Sequence, residues 1–551
     1  MKAFSVCCIL LATVLTACSR LTQDATAQGP LTPHANPDER EAAMDVQHYR
    51  LDLRVDPESK SLRGTVEVRA LVEAATTEFV LDLSQSLTVD SVSLDGKPTR
   101  FTHQDDRIRI ATQKPQSRRA PVRIGVAYHG TPAGNGFTFD ARDGQPAISN
   151  YGMPFTARQW WPSKDTPADK ADSAEILVTV PVPLVAASNG KLLSTVENAD
   201  GTRTYHWQVQ YPIYPDVVSV AIGKYTVFED HYRAANGTIM PLVFYVFPAD
   251  EEKARRDFSV LPDMMRSHVS HFGEYPFLRE KYGIAEFTTH SFREHQTLPS
   301  YSQMLITGDH KNDAILAHEL AHQWFGNSIS VRDWRHVWLN EGFATYAAML
   351  WQERSGGPAS YRAALQKADG DNLQGPVFIA DQTDSKALFR AATFYKGAWV
   401  LHMLRRVMTD ERFFTALRAY VSEYSYRNVT TDDFQAVCER HYGKSLEWFF
   451  QEWIYGVSRP TYEVSWTSGV DNELSLVIRQ VQSDAPAFAM PIEVLIGTTQ
   501  GSERTTVWND RKEQTFQLAL PAKPTNVTID PDGWILKHMG PASSTGRDVV
   551  R

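Results

Sequence analysis

His318-Glu319-Leu320-Ala321-His322 opens a stretch, HELAHQWFGNSISVRDWRHVWLNE, that runs to Glu341 and decides how the rest of the chain is read. Residues four apart on a helix share a face, so the imidazoles of His318 and His322 reach one metal ion. Zinc accepts neutral imidazole nitrogens, and a catalytic zinc takes three protein ligands and keeps one position open for water. Glu319 sits beside the first histidine, placed to take a proton from that water rather than to bind the metal. A third ligand has to come from a second helix, and Trp338-Leu339-Asn340-Glu341-Gly342 offers the carboxylate of Glu341. Two histidines and a glutamate make the ligand set of a peptide-hydrolysing site, with one Zn2+ per chain.

H-E-L-A-H-Q-W-F-G-N followed by W-L-N-E-G-F-A-T-Y resembles the aminopeptidase N family of gluzincin zinc peptidases. The resemblance covers nearly everything after residue 44. It implies a multidomain α+β protein: an N-terminal β-domain (44–229), a thermolysin-like α/β zinc-peptidase domain (230–456) and a small C-terminal β-sandwich (457–540), with a tail at 541–551. The large helical C-terminal domain of longer family members has no room in this sequence.

Length and composition agree with several domains. A chain of 551 residues exceeds one hydrophobic core. The formal net charge of −9 argues against nucleic acid as a partner, because phosphate binding needs basic patches. Of four cysteines, Cys7, Cys8 and Cys18 sit at the N-terminus, leaving Cys438 alone in the body, where a helical pattern makes it a packed thiol.

Lys2 and the apolar run Phe4 to Leu15 read as a secretory signal. Its ending, Leu15-Thr16-Ala17-Cys18, resembles a bacterial lipoprotein box. That would make residues 1–18 a cleaved signal and Cys18 a lipid-bearing membrane anchor at the bacterial cell envelope; the alternative is an ordinary signal peptide cleaved further on. Residues 19–43 have no apolar period and read as a flexible tether.

From residue 44 the period is two, with Leu51, Leu53 and Val55, then Val66, Val68 and Ala70, and a hairpin turn at Asp95-Gly96. Helical patterns take over at Glu251 to Phe272, with Asn312 or Asp313 as cap of the zinc helix, and continue at Tyr395 to Arg406, Phe413 to Tyr424 and Asp432 to Arg440. Alternation returns at Tyr462, Val464 and Trp466.

The resemblance also assigns roles beyond the metal. In the family a tyrosine three residues before the glycine of a Y-x-K-G run donates a hydrogen bond to the developing oxyanion. The corresponding segment is Thr393-Phe394-Tyr395-Lys396-Gly397, where Phe394 holds that position and Tyr395 is the neighbouring hydroxyl. One residue on an α-helix turns a side chain by about 100°, so Tyr395 serves only if the helix is locally irregular. The family's G-x-M-E-N glutamate, which binds the free amine of a peptide substrate, is Glu294 in Ser291-Phe292-Arg293-Glu294-His295, with Arg293 in place of methionine and able to pair with Glu294 instead. Met153 stands where a second amine anchor belongs. Three readings follow: an exported zinc aminopeptidase acting on peptides, a catalytically weakened zinc-binding scaffold, or a zinc endopeptidase.

Overall fold

The computed structural model describes residues 41–152, 154–289, 291–540 and 547–548. The chain is multidomain α+β, with a β-rich N-terminal part, a helical middle part and a C-terminal β region. It forms two compact units, the first holding residues up to Trp351 together with Ile379–Arg390 and Val421–Thr430, and the second the remainder.

In the first unit, the alternating N-terminal segment builds an eight-stranded sheet. Met44–Asp56 lies at its middle, antiparallel to Ser61–Val72 and parallel to Ser173–Pro181. Leu51, Leu53 and Val55 turn inward and are buried, while Asp52, Arg54 and Asp56 between them are exposed, as a strand with one wet face requires. Asp95 and Gly96, at φ 51° and 76°, form the expected hairpin turn between Leu87–Leu94 and Lys97–Pro98.

A second, five-stranded mixed sheet carries the functional region. Its order is Thr226–Arg233, Ile239–Val246, Tyr282–Phe287, Ser300–Ser302 and Phe292–Arg293, the last at the edge. The expected boundary at 229/230 is therefore corrected: it cuts the strand Thr226–Arg233, which pairs along its whole length with Ile239–Val246. The expected helix from Glu251 to Phe272 is two helices, Glu251–Phe258 and Leu261–Phe272, because Pro262 cannot continue the first and suits the first turn of the second.

Helix α1, Asp313–Ala321, is buried on nearly every side through Ile315, Leu316, Ala317, Leu320 and Ala321. Asn312 occupies its N-cap position without capping: its side-chain amide donates instead to Leu305 O at 2.8 Å. Helix α2, Trp338–Lys367, breaks at Gly357 (φ 75°) before Pro358. Among the described residues no helix is long and apolar enough to cross a membrane.

In the second unit, α3 spans Gly397–Met408, and a π-helical turn, Ala392–Lys396, precedes it. Cys438 is a buried free thiol on the helix Thr431–Tyr442. Beyond residue 460, Thr461–Ser468, Glu473–Gln480 and Glu513–Ala519 form one sheet, and Met490–Thr498, Gly501–Asn509 and Pro524–Ile529 another, the two sheets expected of a sandwich.

Candidate metal centre

Helix α1 carries His318 and Glu319 and ends at Ala321, so His322 is its C-cap, its backbone N–H still bonded to His318 O at 3.2 Å. Both imidazoles therefore project from one side of the last helical turn, with Nε2 atoms 3.0 Å apart. Glu341, in the first turn of α2, brings Oε2 to 3.4 Å from each of those nitrogens. Ligands about 2.05 Å from a tetrahedral zinc stand about 3.3 Å apart, so this triangle fits the ion.

The surroundings hold the ligands in the form that metal binding needs. His322 Nδ1 lies 3.0 Å from Phe325 O and donates to it, which leaves Nε2 free to ligate. Thr345 Oγ1 lies 3.5 Å from His318 Nδ1, and the Phe292 ring packs edge-on against the His318 ring at 6.0 Å. Gly326, at φ 126°, reverses the chain after α1; a Cβ there would lie 3.2 Å from His322 Nδ1 and crowd the ligand ring.

Glu319 also lies close, with a carboxylate oxygen within 4.8 Å of both histidines' ligand atoms. Glu341 brings one oxygen, Oε2, to 3.4 Å from both Nε2 atoms. Glu319 is buried, and neither of its oxygens has a hydrogen-bond partner among the described residues. Leaving a buried carboxylate without donors is costly. A water donating to Glu319 would satisfy it, which is the arrangement a base needs. Burial pushes its pKa well above the usual carboxylate range, and the carboxylates of Glu294 and Glu341 push the same way. The double charge of a zinc ion works against that rise.

The other groups titrate as one network. Burial works to lower His322, but Glu341, Glu294 and Glu319 outweigh it and hold this imidazole at about 10. Burial likewise works to raise Glu341, and His322 and His318 outweigh it, bringing the carboxyl down to about 2. His318 is lowered by burial.

Glu294 joins this group. It is partly exposed, burial raises its pKa, and it interacts electrostatically with His322 and Glu341. Arg293 lies flat against Tyr151, its guanidinium carbon 3.3 Å from the ring centroid, and donates to Ser291 Oγ at 2.9 Å. Met153 lies outside the described residues. Phe394 and Tyr395 are half-buried in the second unit, on the π-helical turn Ala392–Lys396. Such a turn closes i→i+5 hydrogen bonds and holds one residue more than an α turn. The α-helix expected to begin at Tyr395 is therefore corrected: it begins at Gly397, with the π-helical turn before it.

Two polar residues that the sequence reading passed over also belong to the region. Asn327 donates through Nδ2 to Glu294 O at 2.7 Å, and Lys170 Nζ donates to the carbonyls of Asn327 and Ser328 at 2.8 and 2.6 Å. Gly326-Asn327 directly behind the histidines was the available signal for the first.

Comparison with known proteins agrees with this geometry. Residues 284–453 match the peptidase family M1 domain, and residues 45–213 match the peptidase M1 N-terminal domain. The chain is 26% identical over 460 residues to aminopeptidase M1-C of Oryza sativa subsp. japonica, covering 78% of this chain and 51% of that one. It is 24% identical over 463 residues to aminopeptidase N of Lactococcus lactis subsp. lactis, covering 79% and 53%. The chain thus spans about half the length of the curated relatives it matches. Among solved structures, aminopeptidase A of Legionella pneumophila, in complex with aspartic acid, superposes with a TM-score of 0.81 at 20% identity, covering 94% of this chain and 61% of that one. The M1 zinc metallopeptidase of Deinococcus radiodurans, in a variant bound to a Tyr-Ser-Ala substrate, superposes at 0.66 and 25% identity, covering 76% and 95%. With both domain matches in chain order and a ligand triangle of zinc dimensions, the chain belongs to peptidase family M1, the zinc metallopeptidases of aminopeptidase N type.

Proposed function

We propose that the protein is an exported zinc aminopeptidase that removes N-terminal residues from peptides. The observation that carries this reading is the convergence of His318, His322 and Glu341 beside a buried carboxylate, Glu319, that has no donor of its own. When bound, zinc supplies Lewis acidity, acidifying a water and polarising the scissile carbonyl. Glu319 accepts the proton of the attacking water and delivers it to the leaving amine. Glu294 pairs with the substrate's ammonium group and thereby selects a free N-terminus.

Tyr395 is the proposed oxyanion donor, and it lies on a π-helical turn. Phe394 at the family's tyrosine position supports a second reading, a weakened enzyme kept for binding zinc and peptides. A zinc endopeptidase follows instead if Glu294 does not bind amines. Export and anchoring rest on the Leu15-Thr16-Ala17-Cys18 pattern, which lies outside the described residues. We assign Cys18 as the lipid-bearing first mature residue, facing the periplasm or exterior of a bacterial envelope. A Cys18→Ala protein then leaves the membrane fraction; its retention there overturns the anchor.

The deciding assay is a panel of aminoacyl amides, free and N-acetylated, with zinc present and after chelation. Zinc-dependent turnover confined to free amines supports the aminopeptidase. Equal turnover of blocked substrates supports the endopeptidase, and stoichiometric zinc without turnover supports the scaffold.

A further inference from the structure

The two groups that must be held at a set distance in such an enzyme lie on different elements. His322 ends α1, whereas Glu294 follows the edge strand Phe292–Arg293 of the five-stranded sheet. One residue bonds to both backbones. Asn327 N donates to His322 O at 3.0 Å, and Asn327 Nδ2 donates to Glu294 O at 2.7 Å. The amide is oriented by its acceptor, since only the NH2 end can meet a carbonyl. Asn327 is fully buried, so water does not substitute for either bond.

The asparagine is itself fixed from the opposite side. Lys170, which follows Asp169 in the N-terminal β-rich part, points its buried ammonium at the carbonyls of Asn327 and Ser328. Gln323 adds a parallel tie: its Oε1 accepts from Thr297 N at 2.8 Å, and its Nε2 donates to His295 O at 3.3 Å. The loop leaving α1 is thus stitched to the segment 294–297.

We infer that Asn327, backed by Lys170, is a positioning residue that sets the spacing between the metal ligand His322 and the amine-binding carboxylate Glu294, and so fixes cleavage one residue from the N-terminus. This rests on the aminopeptidase reading above. Loss of the Nδ2 bond frees Glu294 to shift while His318, His322 and Glu341 keep their own contacts. A displacement near 1 Å at a positioning group costs up to about a hundredfold in rate. The cost falls on substrates that use Glu294.

The test compares kcat and KM for alanyl para-nitroanilide and its N-acetylated form in wild type and Asn327→Ala, with zinc content and melting temperature measured on the same samples. The variant is expected to keep about one zinc per chain, to raise KM for the free amine by about tenfold or more, and to lower the free-to-acetylated ratio of kcat/KM by a similar factor. Asn327→Asp keeps the shape without the donor and carries the test if the alanine protein does not fold. If both substrates lose activity by the same factor, or neither changes, Asn327 is merely structural and the inference is overturned. A wild type without preference for the free amine overturns the aminopeptidase reading and this inference together.

Discussion

Two buried charge clusters lie in the first unit, and they differ in which groups face their carboxylates. In one, Asp82 and Asp165 face Arg107 and Arg158: Arg158 Nη1 is 3.1 Å from Asp82, its Nε is 2.7 Å from Asp165, and Arg107 Nε is 3.6 Å from Asp82. Asp82 and Asp165 each keep a guanidinium partner, and a third buried carboxylate, Asp216, interacts electrostatically with Asp165 and Arg158. In the other, three carboxylates and two imidazoles crowd together, and Glu319 has no donor among the described residues. Unpartnered buried carboxylate oxygens occur in both, at Asp82, Asp165 and Asp216 as well as at Glu319, so what distinguishes the second cluster is its pair of imidazoles sharing Glu341 at metal-ligand spacing.

The contrast is tested most severely at Glu319. Glu319→Gln keeps the shape and removes the base, so kcat should fall by about 10³–10⁴-fold while zinc content stays near one per chain. A variant that loses zinc in proportion to activity would make Glu319 a ligand. In the arginine cluster, Arg158→Met strands Asp82, whose carboxyl burial already lifts to about 6, together with Asp165. Removing one partner of such a buried pair costs about 3–5 kcal/mol. The melting temperature should drop markedly, yet the protein that remains folded should bind zinc with unchanged stoichiometry.

The oxyanion donor comes next. If Phe394 has left the site without its hydroxyl, Phe394→Tyr should raise kcat by about 10²–10³-fold with KM nearly constant, because the donor acts on charge that develops in the transition state. If the π-helical turn delivers Tyr395 instead, Tyr395→Phe should lower kcat by that factor and Phe394→Tyr should have little effect. Steady-state kinetics of the two variants separates these outcomes.

The metal site should also respond to pH. In the metal-free protein His322 titrates at about 10, above its unfolded value of 6.5, so its contribution to stability is full below 6.5 and lost as pH rises through about 10. Glu341, lowered to about 2 from 4.5, contributes above 4.5 and loses its contribution as pH falls toward 2. Chelated protein should therefore lose melting temperature between pH 7 and 10. Zinc affinity should rise over the same interval, about tenfold per pH unit, because the ion displaces the His322 proton. Calorimetry with and without chelator measures both.

Much of the centre was legible from residue order because its geometry is local. His318 and His322 share one helix, and helical pitch alone puts their rings on one side. Glu341 was found from a second helical pattern, although the distance between the helices is set by packing around buried side chains such as Trp338 and Phe343. The boundary at 229/230 was misplaced because alternation looks alike on both sides of it; pairing of Thr226–Arg233 with Ile239–Val246 is a long-range choice. Asn327 was missed for a similar reason, as its partners at Glu294 and Lys170 lie 33 and 157 residues away.

Composition and periodicity were enough for the α+β class, the strand-rich ends and the helix that carries H-E-x-x-H, since each depends on contacts within a few residues. Tertiary structure was needed to bring Glu341 to 3.4 Å from both imidazoles, to leave Glu319 buried without a donor and to tie Glu294 to the loop behind His322. It also turned the Phe394–Tyr395 segment into a π-helical turn, although its pattern reads as ordinary helix. Charge state separates the two kinds of knowledge: His318 and His322 are chemically identical in the sequence, but one is pushed down by burial and the other is held up by three surrounding carboxylates.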